Sequence, residues 1–262
     1  MITSTSNPHV KYVRSLNTQQ HQRLSERRFV LEGVRLVAEA LNRVTPLHLV
    51  LYAPDQLVST AAGRQLCSQL QHQPHSYAAR EHVVAAASAT VSPQGVVAVA
   101  SWPDLQAPPG LILILDGVQD PGNVGTLLRS AEAAGVAQVL CSQGTADCYS
   151  PKVTRSAMGA HFSLPLQTGL DWSTIAQIVA PLAHVYATQI RTEQSYYDVN
   201  WCNDAALLIG SEAQGISSEG IALANETISI PIVGRTESLN AAVAGSIILF
   251  EALRQRQRNH SL

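Results

Sequence analysis

The chain has 262 residues, 46% of them hydrophobic and only 14% charged, enough for a full core and inconsistent with a disordered polypeptide. Its formal net charge of -2 points to no partner, but the charge is unevenly spread: residues 1–100 hold nine Lys/Arg against five Asp/Glu, and the remainder eight against fourteen. Four scattered cysteines with no CxxC pair argue against a zinc site or a disulfide framework, and no apolar run is long enough to span a membrane, so a metal-free protein of the reducing cytoplasm is expected.

Residues 1–28 are polar and basic and read as a short helix or arm that touches a partner. Most of the positive surplus lies here and just beyond, at Lys11, Arg14, Arg23, Arg27, Arg28, Arg35 and Arg43. Phe29-Val30-Leu31 opens an apolar stretch, after which Val34, Val37, Ala38 and Leu41 follow helical spacing. Pro46 ends that helix. Leu47 to Tyr52 and Val96 to Ala100 read as strands, and Ala61 to Leu70 and Arg80 to Ala87 as helices between them. The alternation makes a small α/β domain over 1–102. The stretch 103–110 lies in the proline-rich SWPDLQAPPG, where missing N–H donors and a stiff backbone favour a linker.

The second domain, 111–262, alternates again. Leu111 to Leu115 is a continuous apolar run, the pattern of a strand buried on both faces. A loop with Pro121-Gly122-Asn123 follows, then a helix over Thr126 to Ala134. Ala137 to Cys141, His184 to Thr188 and Ala205 to Ile209 read as strands. Phe162 to Leu166 reads as a short one interrupted by Pro165, and Ile228 to Ile232 as the last, leaving the sheet at Pro231. Helices are expected over Lys152 to Met158, Ile175 to Leu182 and Asn240 to Arg258.

Three glycine-bearing loops follow strands: DGVQDPGNVG (116–125), GSEAQG (210–215) and VGRTESLN (233–240). Glycine lets backbone groups approach a ligand closely, so three such loops at one end of a sheet predict a pocket lined by main chain. No GxGxxG follows the first strand of either half, and no GxxxxGK[ST] or GxSxG occurs. These absences argue against a dinucleotide enzyme, a nucleotide triphosphatase and a serine hydrolase.

The segments DGVQDPGNVGTLLRSAEAAG, LLIGSEAQGIS and IPIVGRTESLNAAVAGSIILFEALR resemble, in order and spacing, the three signature motifs of the SpoU (TrmH-like) RNA 2'-O-ribose methyltransferases of the SPOUT superfamily. RSAMGAHFSLP (155–165) resembles the segment between the first two motifs. The first half, through FVLEGVRLVAEAL, resembles the substrate-binding domain of many members, a small α/β sandwich similar to certain ribosomal proteins. The resemblance implies an α/β fold whose C-terminal parallel-sheet domain is tied in a trefoil knot. It also implies S-adenosyl-L-methionine as cofactor, RNA as partner, and a homodimer with the active site near its interface.

Carried residue by residue, the resemblance makes Arg129 the catalytic arginine, joined by Asn123, Glu212, Ser238 and Asn240. Arg129 would stabilise a ribose alkoxide or grip a phosphate. Asn123 would bond Arg129 or the ribose, or cap its helix; Glu212 would orient Arg129 or the substrate, or favour the cationic cofactor. Ser238 and Asn240 would bind the target nucleotide, and Ser238 would also cap the last helix. Gly210, Gly215, Ile230 and Leu239 are implied to hold the cofactor. Lys11, Arg14, Arg27, Arg28, Arg35, Lys152, Arg155 and Arg235 are candidates for RNA phosphates, which position RNA without reading its sequence. The expected activity is 2'-O-methylation of ribosomal RNA. A transfer-RNA methyltransferase, a catalytically silent RNA-binding module and an α/β enzyme for a small nucleotide are the competing classes.

Overall fold

A computed structural model describes residues 1–43 and 45–259. The chain divides into two compact units, one of Met1–Pro103 with Tyr149–Phe162, the other of Asp104–Cys148 with Ser163–Leu262.

The first unit begins with two helices in place of an arm. Helix α1 (Pro8–Thr18) starts where the Asn7 side chain accepts from the His9 N–H, with Pro8 supplying the fixed φ of a first turn. It buries Val10, Val13 and Leu16 on one face. Helix α2 (Gln20–Glu26) ends at Arg27, whose left-handed φ of 49° turns the chain into strand β1 (Arg28–Glu32). Then come α3 (Val34–Asn42), β2 (Leu47–Tyr52), α4 (Pro54–Leu57), α5 (Ala61–Leu70), β3 (Ser76–Ala78), α6 (Glu81–Ala87) and β4 (Val96–Ser101). The sheet order is β1-β4-β2-β3, with β4 antiparallel to both neighbours and β2 parallel to β3. Leu49, Leu51, Val97 and Val99 join α1 and α6 in one core.

In the second unit, β5 (Ile112–Asp116) is the predicted buried strand, and every residue of it is buried. Helix α7 (Pro121–Ala133) begins five residues earlier than the sequence pattern suggests, because Asp120 caps it by accepting from the Asn123 N–H and Pro121 fills the first turn. Strand β6 (Gln138–Ser142) follows.

The chain then contributes to the first unit. Helix α8 (Pro151–Ala157) and the 3-10 turn Ala160–Phe162 pack on β1, so this stretch clusters with the first compact unit although it lies within the expected 111–262. Phe29 meets Tyr149 edge-on at 5.2 Å, and Trp102 stacks on Tyr149 at 3.8 Å. Arg155 donates to the buried Glu32 carboxylate at 3.2 Å, and that carboxylate also accepts from the Ala89 N–H.

Back in the second unit, β7 starts at Leu166 rather than Phe162 and runs to Leu170, since Phe162 closes the 3-10 turn and Pro165 cannot donate to a ladder. Next come α9 (Trp172–Val179), β8 (His184–Thr188), β9 (Ala205–Gly210), α10 (Ser218–Leu223), β10 (Glu226–Ile228) and α11 (Ala241–Asn259). Strand β10 ends at Ile228, short of the expected Ile232, because Ser229 turns to exchange backbone bonds with Gln194 and Tyr196. All six strands are parallel in the order β10-β8-β9-β5-β6-β7. The order reverses between β5 and β9, the switch point where open parallel sheets place their ligands beyond the strand ends.

Candidate functional site

At that switch point Asp116 closes β5 directly beside Gly210, the last residue of β9. Asp116 is 6% exposed, and its carboxylate accepts from the Ser217 N–H at 2.6 Å and the Ser142 hydroxyl at 3.3 Å. It fastens the loop after β9 onto β5 and β6. In the sequence Asp116 is only the first residue of the glycine-bearing loop 116–125, with no role of its own. A carboxyl group ending an apolar run, where it must find donors to stay buried, was the available signal.

The loop after β9 is a tight turn. Ser211 and Gly215 exchange two backbone hydrogen bonds of 2.9 Å, with Gly215 at φ +70°. A Cβ on Gly210 would lie 2.3 Å from the Gly215 carbonyl carbon, so only glycine fits there. The turn holds Glu212 out from the sheet end.

Glu212 accepts from the Asn123 amide, and the Asn123 carbonyl accepts from the Asn240 amide at 3.0 Å. Asn240 in turn caps α11, accepting from the Ala242 and Val243 N–H groups at 2.9 and 3.1 Å. One side-chain chain thus joins all three signature loops. Asn123 neither caps α7, which Asp120 does, nor bonds Arg129; Glu212 bonds Asn123 rather than Arg129. Asn240, not Ser238, caps α11.

Helices α7 and α11 pack closely. A Cβ on Gly245 would come within 2.4 Å of Leu127, and the Ser130 and Ser246 hydroxyls are 2.7 Å apart. Arg129 precedes Ser130 on α7, exposed and without a hydrogen-bond or ion-pair partner among the described residues. Its guanidinium is available to an anion from outside.

Ser238, Leu239 and Arg235 lie in the exposed segment between β10 and α11, with Ile230 half-buried at its start. Among the described residues, 230–239 make no backbone–backbone hydrogen bond, although Thr236 donates its hydroxyl to the Ser238 carbonyl at 3.1 Å. Strands β10, β8 and β9 are neighbours, so this unpaired main chain and the Gly210–Gly215 turn follow adjacent strands of one sheet. Free backbone groups beside the Glu212 carboxylate, with no metal-ligating cluster among the described residues, fit a neutral-to-cationic ligand such as S-adenosylmethionine.

The basic candidates separate. Lys11, Arg14 and Arg35 are exposed and without partners among the described residues. Arg27 lies over the Trp102 ring at 5.9 Å. Arg28 donates to the Tyr12 hydroxyl at 2.8 Å and pairs with Glu26 at 3.4 Å, and Arg155 is held by Glu32, so both are engaged within the fold while remaining about a third exposed. Arg23 is buried and donates to the Leu16 carbonyl. Lys152 is exposed on α8 and, like Arg155, belongs to the first unit.

Residues 110–250 match the family model described as the SpoU rRNA Methylase family. The chain belongs to the SpoU rRNA methylase family. Residues 7–98 match a family model described as the MRM3-like substrate binding domain. Among relatives, the 23S rRNA (guanosine(2553)-2'-O)-methyltransferase RlmP of Bacillus subtilis is 31% identical over 95% of this chain and 97% of its own. A 23S rRNA (uridine(2479)-2'-O)-methyltransferase of Streptomyces viridochromogenes is 32% identical over 87% of this chain and 83% of its own. The solved SpoU methyltransferase AviRb from Streptomyces viridochromogenes, in complex with the cofactor AdoMet, matches 96% of this chain and 98% of its own with a TM-score of 0.84 at 28% identity.

Proposed function

We propose that this SpoU-family chain transfers the methyl group of S-adenosylmethionine to a ribose 2'-hydroxyl of ribosomal RNA. The observation that carries the reading is the hydrogen-bond chain Glu212–Asn123–Asn240, which gathers the three signature loops at the switch point beside Asp116. The matched substrate-binding domain ahead of the catalytic sheet supports ribosomal over transfer RNA.

S-adenosylmethionine would supply an activated methyl group on a sulfonium, whose transfer to the ribose 2'-oxygen would leave S-adenosylhomocysteine and release the hydroxyl proton to solvent. Arg129 stabilises the developing alkoxide and holds the adjoining phosphate. It does not take the proton, because a guanidinium stays protonated. Asn123, fixed from both sides by Glu212 and Asn240, orients the ribose; Ser238 reaches the target nucleotide. Gly210, Gly215, Ile230 and Leu239 hold the cofactor mainly through main chain, and the Glu212 carboxylate favours its positive charge. Lys11, Arg14, Arg27, Arg35, Lys152 and Arg235 contact RNA phosphates.

A homodimer is the second part of the proposal. Val243, Ile247 and Phe250 form an apolar stripe on α11 at spacings of four and three residues, 49%, 36% and 48% exposed. A second copy covers this stripe and brings its own chain near the site. The trefoil knot of the family is also proposed here, supported by the bridge between Ser195 and Ser229 that pins the 189–202 loop to the chain leaving β10 ahead of α11. The Cys141 and Cys148 thiols share a hydrogen bond of 3.5 Å, and that bond, together with burial, pushes the Cys148 thiol up; free thiols suit the proposed cytoplasmic setting.

The test is transfer of labelled methyl from S-adenosylmethionine to unmodified ribosomal RNA, with transfer RNA in parallel and the label mapped. Alkali-resistant label on ribose in ribosomal RNA is expected. Label on a base, or on transfer RNA alone, would overturn the reading.

A further inference from the structure

Outside the catalytic site, the first unit carries a half-open groove of about 820 Å³ between α3 and α5, with residues 93–94 at its rim. That volume falls in the range of about 300–1,000 Å³ usual for small-ligand sites. Its shape is built in. The Gln94 side-chain oxygen accepts from the Val34 N–H at 3.1 Å, and the Gln56 side-chain amide donates to the Pro93 carbonyl at 2.7 Å, so the rim loop is fastened to α3 and to α4. Thr60 caps α5 by accepting from the Gly63 N–H at 3.0 Å.

Exposed amide side chains and one arginine stand along a lining that also includes Val34, Ala38, Leu57 and Leu66. Arg35 and Asn42, seven residues apart, share one face of α3, with Ala38 between them; Gln65 and Gln69, four apart, share one face of α5 beyond Ala62. The side chains of Arg35, Asn42, Gln65 and Gln69 have no hydrogen-bond partner among the described residues. Glu39, the one acid in the lining, is neutralised by Arg43 at 2.7 Å. Arg35 is the one cation in the lining.

We infer that this groove receives a single unpaired nucleotide of the RNA substrate. Carboxamides carry a donor and an acceptor side by side and so match the edges of bases. The Arg35 guanidinium stacks on the base or meets its phosphate, both established ways of holding a splayed-out nucleotide. One cation matches one phosphodiester and not a polyphosphate, which separates this ligand from a free nucleotide triphosphate. The groove gives the accessory domain a way to select sequence, which phosphate contacts alone do not provide.

The inference rests on the proposed RNA substrate, and the experiment separates the two. Fluorescent single-stranded RNA oligomers of A, C, G and U are titrated against the whole protein as a function of salt, for wild type, Gln65→Ala/Gln69→Ala and Arg35→Ala, with folding checked by thermal unfolding. The wild type is expected to prefer one base. The double variant should lose about tenfold in affinity for that oligomer and become indifferent to base, with the salt slope unchanged. Arg35→Ala should lower the salt slope by about one. RNA carrying 4-thiouridine should crosslink to the 56–70 peptide. A wild type that binds RNA, beside a double variant of unchanged affinity and preference, overturns the groove assignment alone. No RNA binding by the wild type overturns the reading beneath it and the groove with it.

Discussion

Arg155 shows how residue-level chemistry redirects a charge argument. In the sequence it is one more cation beside an RNA-binding motif; in the fold it answers a carboxylate that is buried and needs it. Removing the arginine leaves Glu32 with only the Ala89 N–H, and an underpaired buried charge is costly. Because Arg155 is itself about a third exposed, part of that cost is recovered by water. Arg155→Ala should therefore destabilise the first unit by about 1–3 kcal/mol in denaturant unfolding, with the salt dependence of RNA binding unchanged. Unaltered stability with a shallower salt slope would return Arg155 to the RNA face. Asn123, Glu212 and Asn240 were each legible as motif positions. Their mutual bonding was not, since the partners lie 89 and 117 residues apart and local pattern carries no information on such pairs.

Among elements, those with strong local signals were readable. Strand β5 is an unbroken apolar run, and α5 and β2 have periodicity and flanking punctuation that match their observed limits. Strand β7 was placed wrongly because it is an edge strand, LQTGL, whose half-exposed residues look like a loop. The start of α7 was missed because Pro121 and Gly122 read as a turn until Asp120 is seen to cap the helix. Helix α11 carries the most consequential exposed surface. With Val243, Ile247 and Phe250 facing outward, Phe250→Asp should convert a dimer to a monomer in sedimentation velocity while leaving helix content intact. A wild type that sediments as a monomer, or a variant that stays dimeric, would remove α11 from the interface.

For the whole molecule, the two halves of the sequence are not the two units of the structure. Residues 149–162 sit between β6 and β7 in the chain yet fold with β1, Trp102 and Phe29. No sequence pattern marks that exchange, since α8 is amphipathic whichever core receives its apolar face. A fragment of residues 104–262 should expose Tyr149 and Phe162 and be cleaved by protease within 149–162, where the full chain resists. Equal resistance in fragment and full chain would mean that the segment is ordered without β1.

The proposed function divides labour around the catalytic sheet, with Arg129 on the substrate side and the main chain around Gly210 and Leu239 on the cofactor side. Single-turnover methyl transfer to ribosomal RNA, measured together with S-adenosylmethionine affinity by calorimetry, tests it in Arg129→Ala. A rate lower by about a hundredfold or more, with cofactor affinity unchanged, is expected. Retention of the full rate, or loss of cofactor binding along with the rate, would contradict it.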